Sequence, residues 1–220
     1  MRSAKAITAS SLVALALCWS SAMAEVLSFR YGILSEDDQK SIFVVEKGQV
    51  LKSGDLLKLN FQYPKAASFY VCYLSSDDEY VLIYSSNAKS RGLQGSGEEA
   101  DAMYETLGWM ALDNNTGLET FILIASDEPL DMLEELVSNY ERAKGKSRKR
   151  FHKRITQHLK ELEDGLVKVS GVSLTQRLEK PVIAGVTFRG TTEAELSENA
   201  LTHAASGQRI ALAVFEIGHQ

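Results

Sequence analysis

Alternating apolar and polar residues dominate the first half of the chain and predict β-strands. Between positions 56 and 63, leucine and phenylalanine alternate with lysine, asparagine and glutamine, the pattern of a strand with one buried and one solvent-facing side. Residues 42–46 are rich in β-branched and aromatic side chains and predict another strand. The N-terminal half is therefore expected to form a sheet.

Two apolar segments separated by a polar turn predict a hairpin. Residues 69–74 and 80–84 are apolar and aromatic, and the sequence between them, Ser-Ser-Asp-Asp-Glu, consists of turn formers. A glycine-rich segment at 91–97 predicts a mobile loop, after which order resumes at 103–112. A turn at 113–117 then leads into an apolar strand at 119–125. We expect these strands to pair antiparallel.

Helical spacing replaces this alternation after Asp127-Glu128-Pro129, a sequence that suits a first helical turn. Gly145 separates two amphipathic segments, the second of which begins near Ser147 and is expected to end near Gly165. Apolar residues recur three and four positions apart in both segments, and they are Leu130, Leu133, Leu136, Val137 and Tyr140, then Phe151, Ile155, Leu159 and Leu162. This spacing predicts a helical hairpin that docks through its apolar stripes.

Strand patterns return in the C-terminal part, at 166–172, 182–188 and 209–217, and capping-box spacing at 192–195 predicts a short helix over 193–204. The predicted fold class is α+β, mainly β. We expect an antiparallel β-sandwich or a partly open barrel with the helical hairpin packed on it. The β-rich part spans 25–128, the hairpin spans 129–165, and the C-terminal strands at 166–220 complete the same domain.

Residues 1–24 have the pattern of a secretory signal peptide, with Arg2 and Lys5, an apolar segment at 6–17, and Ala-Met-Ala at 22–24. The apolar segment is shorter than the roughly 20 residues of a membrane-spanning helix. Leu17 stands where a lipidation motif requires a small residue before Cys18. We therefore expect an exported bacterial protein, periplasmic or secreted, with no transmembrane segment in its mature chain.

Charge and cysteine content narrow the possible partners. Removal of Arg2 and Lys5 leaves 22 of the 24 basic residues against 29 acidic ones, so the net charge of the mature chain is about −7. An acidic net charge argues against nucleic-acid binding. Cleavage also removes Cys18, so Cys72 has no partner for an intramolecular disulfide. Because Cys72 lies in an apolar strand, we expect an inert core thiol.

No pattern of residues indicates an enzyme, a metal site or a cofactor site. His152 and His158 are six positions apart, which departs from the i, i+4 spacing of two ligands on one helical face, and His203 and His219 are isolated. The glycines at 92–97 lack the spacing of a dinucleotide loop, and no serine has the Gly-x-Ser-x-Gly frame. We expect a noncatalytic protein that needs neither metal nor cofactor.

Several segments together resemble a bacterial family called domain of unknown function 4384. They lie at 48–59, 69–74, 80–84 and 117–130, and they include Gly54-Asp55 and Gly117-x-Glu119 at the family's motif positions. Ser85-Ser86-Asn87 stands where family members often have Pro-Asn. The resemblance covers about half of the mature chain. It implies a β-rich, noncatalytic exported or envelope-associated module, sometimes appended to kinase-like or protease-like domains, with no known active site.

One segment departs from the acidic background. Residues 144–154 contain seven basic side chains, which are Lys144, Lys146, Arg148, Lys149, Arg150, Lys153 and Arg154. In an exported protein, such a segment suits anionic lipid headgroups, phosphorylated glycans or an acidic protein surface. The alternative is a solvated turn that is neutralised by acids of the preceding helix, namely Asp131, Glu134, Glu135 and Glu141.

The predicted function is therefore an exported noncatalytic binding module that contacts a protein or a cell-envelope component. The alternative is a small-molecule or glycan-binding domain that uses the basic segment and a cleft lined by Tyr73, Tyr84 and Trp109. Aromatic residues on strands are more often part of a core than of a ligand platform.

Overall fold

The structure, a computed structural model, describes residues 26–86, 102–170, 176–177 and 200–220. The predicted signal peptide, the glycine-rich loop at 91–97 and the strand at 182–188 lie outside these residues. Within the described ranges, the chain forms two β-sheets and two helices. The fold class is α+β, mainly β, and the two separate sheets agree with the sandwich among the predicted architectures.

The first sheet has the strand order β10–β11–β1–β4–β7, with β2 beside β1 and β8 beside β4. Its described strand pairs are all antiparallel. The strands are β1 (Leu27–Glu36), β2 (Ile42–Val44), β4 (Leu56–Pro64), β7 (Ala102–Thr106), β8 (Met110–Ala111), β10 (Gln176–Arg177) and β11 (His203–Gly207).

The second sheet has the order β3–β12–β9–β5–β6. Its described pairs are antiparallel except for β3 and β12, which run parallel. The strands are β3 (Val50–Leu51), β5 (Ser68–Leu74), β6 (Tyr80–Ser86), β9 (Gly117–Ser126) and β12 (Ile210–His219). The predicted strands at 69–74, 80–84, 119–125 and 209–217 are thereby confirmed to within a few residues.

The main core lies between the two sheets. Leu57, Leu59 and Phe61 of β4 point into it and are at most 2% exposed. The Phe61 ring stacks on Phe69 of the second sheet at 4.9 Å between ring centres. Since fully burying a large apolar side chain contributes about 1.5–3 kcal/mol, this interleaved layer holds the sheets together.

The other side of β4 is also covered, contrary to the prediction of a half-exposed strand. Lys58 and Asn60 are 5% and 0% exposed. The Lys58 ammonium lies 5.5 Å from the centre of the Trp109 ring, and the Tyr104 hydroxyl donates to Asn60 Oδ1 at 3.2 Å. Tyr104 of β7 and Trp109, which follows β7, thus lie against polar side chains of β4, which alternation alone does not reveal.

The predicted hairpin joins β5 and β6. Asp78 has a positive φ of 64°, and the main-chain N–H of Ser75 donates to the Glu79 carbonyl at 3.0 Å. Aspartate tolerates this left-handed conformation better than most residues, which explains why an Asp-rich sequence closes the turn. We call residues 75–79 the hairpin turn.

Two helices pack on the outer side of the second sheet. They are α1 (Asp131–Arg142) and α2 (Gly145–Ser170). Their apolar stripes form a second core with β5, β9 and β12, and it includes Leu133, Tyr140, Ile155 and Leu159. The predicted break at Gly145 is confirmed, because this glycine has a positive φ of 55°.

Two predictions near the C-terminal side of this hairpin are wrong. The helix does not end near Gly165 but continues to Ser170, so 166–170 is helical instead of a strand. Short alternating stretches are ambiguous, and a helix that is already formed extends at little cost. The short helix predicted over 193–204 does not extend over its last residues, because 200–202 are not helical and His203 and Ala204 lie in β11; residues 193–199 lie outside the described chain.

Candidate functional site

The basic segment forms the first turns of α2. Lys146, Lys149, Arg150 and Lys153 recur three or four positions apart, so they lie on one side of the helix. These four side chains, together with Lys144 and Arg154, are exposed to solvent. We call these six residues the basic face.

The opposite side of α2 fixes this surface in place. Ile155 is fully buried and Leu159 nearly so, both in the second core. Phe151 packs against the edge of that core, and the guanidinium groups of Arg150 and Arg154 lie 5.4 and 5.8 Å from its ring centre. The basic face is therefore presented by a docked helix, with two arginines ordered over an aromatic ring.

Arg148, predicted as one of the contact residues, has a different role. Its guanidinium carbon lies 4.6 Å from the Tyr140 ring centre, and Nη2 lies 3.2 Å from Glu79 Oε1 in the hairpin turn. His152, one turn later, places Nε2 at 3.1 Å from Asp78 Oδ1, which is attractive when the imidazole is protonated. Arg148 thus fastens α2 to α1 and to the hairpin turn.

In the described part of the chain, the acids of α1 form no direct ion pair with the basic face, unlike the predicted pairing. Among the described residues, no carboxylate of α1 lies within 4.0 Å of a nitrogen of the basic segment. Glu134 instead accepts a hydrogen bond from Ser85 at 3.1 Å, and Glu135 accepts one from Asn139 at 3.4 Å. The basic segment draws its ion-pair partners from the hairpin turn.

The three candidate cleft aromatics lie in three different places. The Tyr73 ring packs against Phe121 in the second sheet, and Tyr84 shares a hydroxyl hydrogen bond of 2.8 Å with Tyr63. Trp109 is 36% exposed beside Lys58 of the first sheet. The described ring contacts do not join any two of these three residues.

A second polar arrangement joins residues that the sequence did not bring together. Glu119 and His219 are diagonal neighbours on the inner side of β9 and β12, because Glu119 pairs with Ile217 and Gly117 pairs with His219. His219 Nδ1 lies 3.2 Å from Glu119 Oε1, and His219 Nε2 lies 3.0 Å from Ser53 Oγ. We call Ser53, His219 and Glu119 the serine–histidine–glutamate series.

Further hydrogen bonds hold the Glu119 carboxylate. Its Oε2 accepts from the Tyr73 hydroxyl at 2.6 Å and from the Ser76 main-chain N–H at 3.1 Å. Burial raises the pKa of Tyr73 well above its ordinary range, and the Glu119 carboxylate raises it further, so the phenol remains a donor. The carboxylate therefore has a fixed orientation toward His219.

One signal in the sequence could have revealed this arrangement. Glu119 and His219 occupy inward positions of strands that are otherwise apolar, and a buried charged or polar group requires a partner. Sequence patterns indicated Glu119 only as a position of the Gly117-x-Glu119 motif, and they indicated His219 only as an isolated histidine. His203, the other isolated histidine, is also buried, where it stacks on Tyr31 and is within 2.9 Å of the Thr202 hydroxyl.

The described residues contain neither a cluster of metal ligands nor a helix able to span a membrane. No group of three histidine, cysteine, aspartate or glutamate side chains in the described ranges is placed to hold a metal ion. None of the helices in those ranges combines the length and apolar character needed to cross a membrane.

The fold is a two-sheet sandwich with an external helical hairpin, and it carries two polar arrangements, the basic face and the serine–histidine–glutamate series. Comparisons with protein-family models, with curated proteins and with solved structures found no match to this chain.

Proposed function

We propose that this chain is an exported, noncatalytic binding module that contacts a protein or a cell-envelope component through the basic face of α2. The observation that carries the proposal is the exposure of Lys144, just before α2, and of five cationic side chains on that docked helix; among the described residues none of the six has a direct ion pair with α1. Positive charge concentrated on one surface of an acidic protein favours an anionic partner.

Two features of the sequence support the same proposal. The pattern of residues 1–24 indicates export, which would bring the basic face to the envelope or the exterior. The resemblance to domain of unknown function 4384 implies a noncatalytic, envelope-associated module. An aromatic cleft receives less support, since Tyr73 and Tyr84 each already use their hydroxyl group inside the protein.

The test is a double charge reversal, Lys149→Glu with Arg150→Glu, assayed on vesicles of phosphatidylcholine with phosphatidylglycerol. Each basic residue near such a surface contributes about 1 kcal/mol, so losing two should weaken binding by at least about 30-fold. The matched control is Lys47→Glu with Lys52→Glu, two exposed lysines outside α2 that give the same change in net charge. We expect the control to bind nearly as the original protein does.

Neutral vesicles and a carboxylate column complete the design. Retention on the column without vesicle binding would favour an acidic protein as the partner. The proposal is overturned if the original chain binds neither anionic surface, or if the charge reversal on α2 weakens binding no more than the control does.

A further inference from the structure

The serine–histidine–glutamate series has the order of hydrogen bonds that activates a serine. A carboxylate oxygen accepts hydrogen bonds, so the tautomer of neutral His219 that carries its proton on Nδ1 donates to Glu119 Oε1. His219 Nε2 is then an acceptor, and the Ser53 hydroxyl at 3.0 Å donates to it. A base within hydrogen-bond distance of a serine, itself oriented by a carboxylate, is the arrangement of an activated nucleophile.

Exposure divides this series into a buried base with its carboxylate and a serine residue at the surface. The side chains of His219 and Glu119 are 0% and 2% exposed, whereas Ser53 is exposed in the turn between β3 and β4. Gly54 follows it with a positive φ of 90°, a conformation that favours glycine. The strands therefore fix the base and carboxylate, and the turn presents the serine to solvent.

We propose that Ser53 is a nucleophile that accepts acyl groups from small activated esters, with His219 as general base and Glu119 as the residue that orients it. Ser53 Oγ forms a bond to the ester carbonyl carbon while its proton passes to His219 Nε2. The carbon–oxygen bond to the leaving group then breaks, and the alcohol takes that proton. The product is an ester on Ser53, with His219 returned to its neutral form.

The nearby main chain limits the substrate class. The N–H of Ser53 donates to the main-chain oxygen of Gln220, and the N–H of Gly54 donates to the Leu112 carbonyl, both at 2.9 Å. These two groups are thus engaged instead of stabilising a developing oxyanion, and loss of one such donor typically slows acyl transfer about 10²–10³-fold. Reaction is therefore expected with activated aryl esters and fluorophosphonates, and not with peptide bonds.

The experiment treats the full chain with p-nitrophenyl acetate or a fluorophosphonate probe and locates the adduct by peptide mapping. We expect one adduct per chain, on Ser53, and its loss in Ser53→Ala. The matched control is Ser85→Ala, because Ser85 is also exposed and bonded to a carboxylate, that of Glu134, without a histidine between them. This control should be labelled as the original protein is.

Glu119→Gln tests the orienting role. The amide would favour the wrong histidine tautomer, and we expect the labelling rate to fall about 10²–10⁴-fold. Circular dichroism checks that the variant is folded. If it is not, the mapped adduct and the comparison of Ser53→Ala with Ser85→Ala still decide the question.

The inference is overturned if the label spreads over several serines, if it is absent from Ser53, or if Ser53→Ala is labelled at the original rate. Because Ser53 lies outside the basic face, these results do not depend on vesicle binding, and either proposal can fail without the other.

Discussion

At the scale of single residues, His158 on α2 links proton uptake to stability. Its ring is half-buried, and Nε2 is covered from solvent without a hydrogen-bond partner among the described residues. Burial lowers the pKa of His158, and the neighbouring Glu161 carboxylate opposes this shift only in part. The folded protein therefore holds this imidazole neutral at pH values where an unfolded chain would begin to protonate it.

We expect this residue to weaken the fold as the solution becomes acidic. The unfolded chain binds the proton more tightly, so the stability contributed by neutral His158 is fully present above the ordinary imidazole pKa of about 6.5 and is lost as the pH falls below it. His158→Gln should show a smaller loss between about pH 7.5 and about pH 5, measured by urea unfolding. Equal pH dependence in both proteins would contradict this explanation.

Residue-scale geometry is also where the sequence was least informative. Ser53 and His219 are 166 positions apart, and Glu119 and His219 are 100 apart. Periodicity describes neighbours along one element, whereas these contacts depend on which strands pair and in what register. The acids of α1 illustrate the same limit, because they were the predicted charge partners, whereas the observed partners, Asp78 and Glu79, lie in the hairpin turn.

At the scale of elements, the helical hairpin docks through apolar side chains. The second core contains the predicted stripe residues of α1 and α2 together with outward-facing residues of the second sheet. The ion pairs at its edge involve side chains that are substantially exposed, such as Asp78 at 75%. Exposed pairs contribute little to stability, so packing holds the hairpin in place.

Ile155→Ala tests this explanation. Ile155 is fully buried, and truncating such a side chain typically costs about 2–5 kcal/mol. Gln157→Ala, two positions later on the exposed side of the same helix, should change stability by less than about 0.5 kcal/mol. Urea unfolding of both variants gives the comparison, and similar losses would show that the hairpin is not held by its stripe.

The elements themselves were largely predictable because their signals are local. Alternation identified the strand around 56–63, a continuous apolar run identified the strand around 119–125, and helical spacing identified both helices. The same alternation was misleading at 166–172, where five residues continue α2. Alternation also predicted that only one side of β4 is buried. The other side is covered by Trp109 and Tyr104, which come from another part of the chain.

At the scale of the whole molecule, β5 belongs to both cores. Phe69 and Val71 point toward the first sheet, and Tyr70 and Cys72 point toward the helices. Burial raises the pKa of the Cys72 thiol to about 12 and removes it from solvent. Exposure of this thiol therefore requires β5 to separate from at least one of its neighbouring layers.

Cys72 should accordingly report on unfolding of the whole domain. In a Cys18→Ser background, we expect almost no reaction with an aromatic disulfide reagent in native buffer and full reaction in concentrated urea. The transition should coincide with that seen by circular dichroism. Rapid labelling under native conditions would mean that the helical layer opens independently of the sandwich.

The position of β12 also has a consequence for the order of events during synthesis. This strand lies between β3 and β9, and it is the last described strand to leave the ribosome. Until it is available, β3 has no described partner in its sheet and one side of β9 remains open. Local segments can form early, but the long-range pairing that closes the second sheet must wait. The second sheet of a nascent chain therefore stays incomplete, and its unpaired strands stay accessible to chaperones, until residues 210–219 have been made.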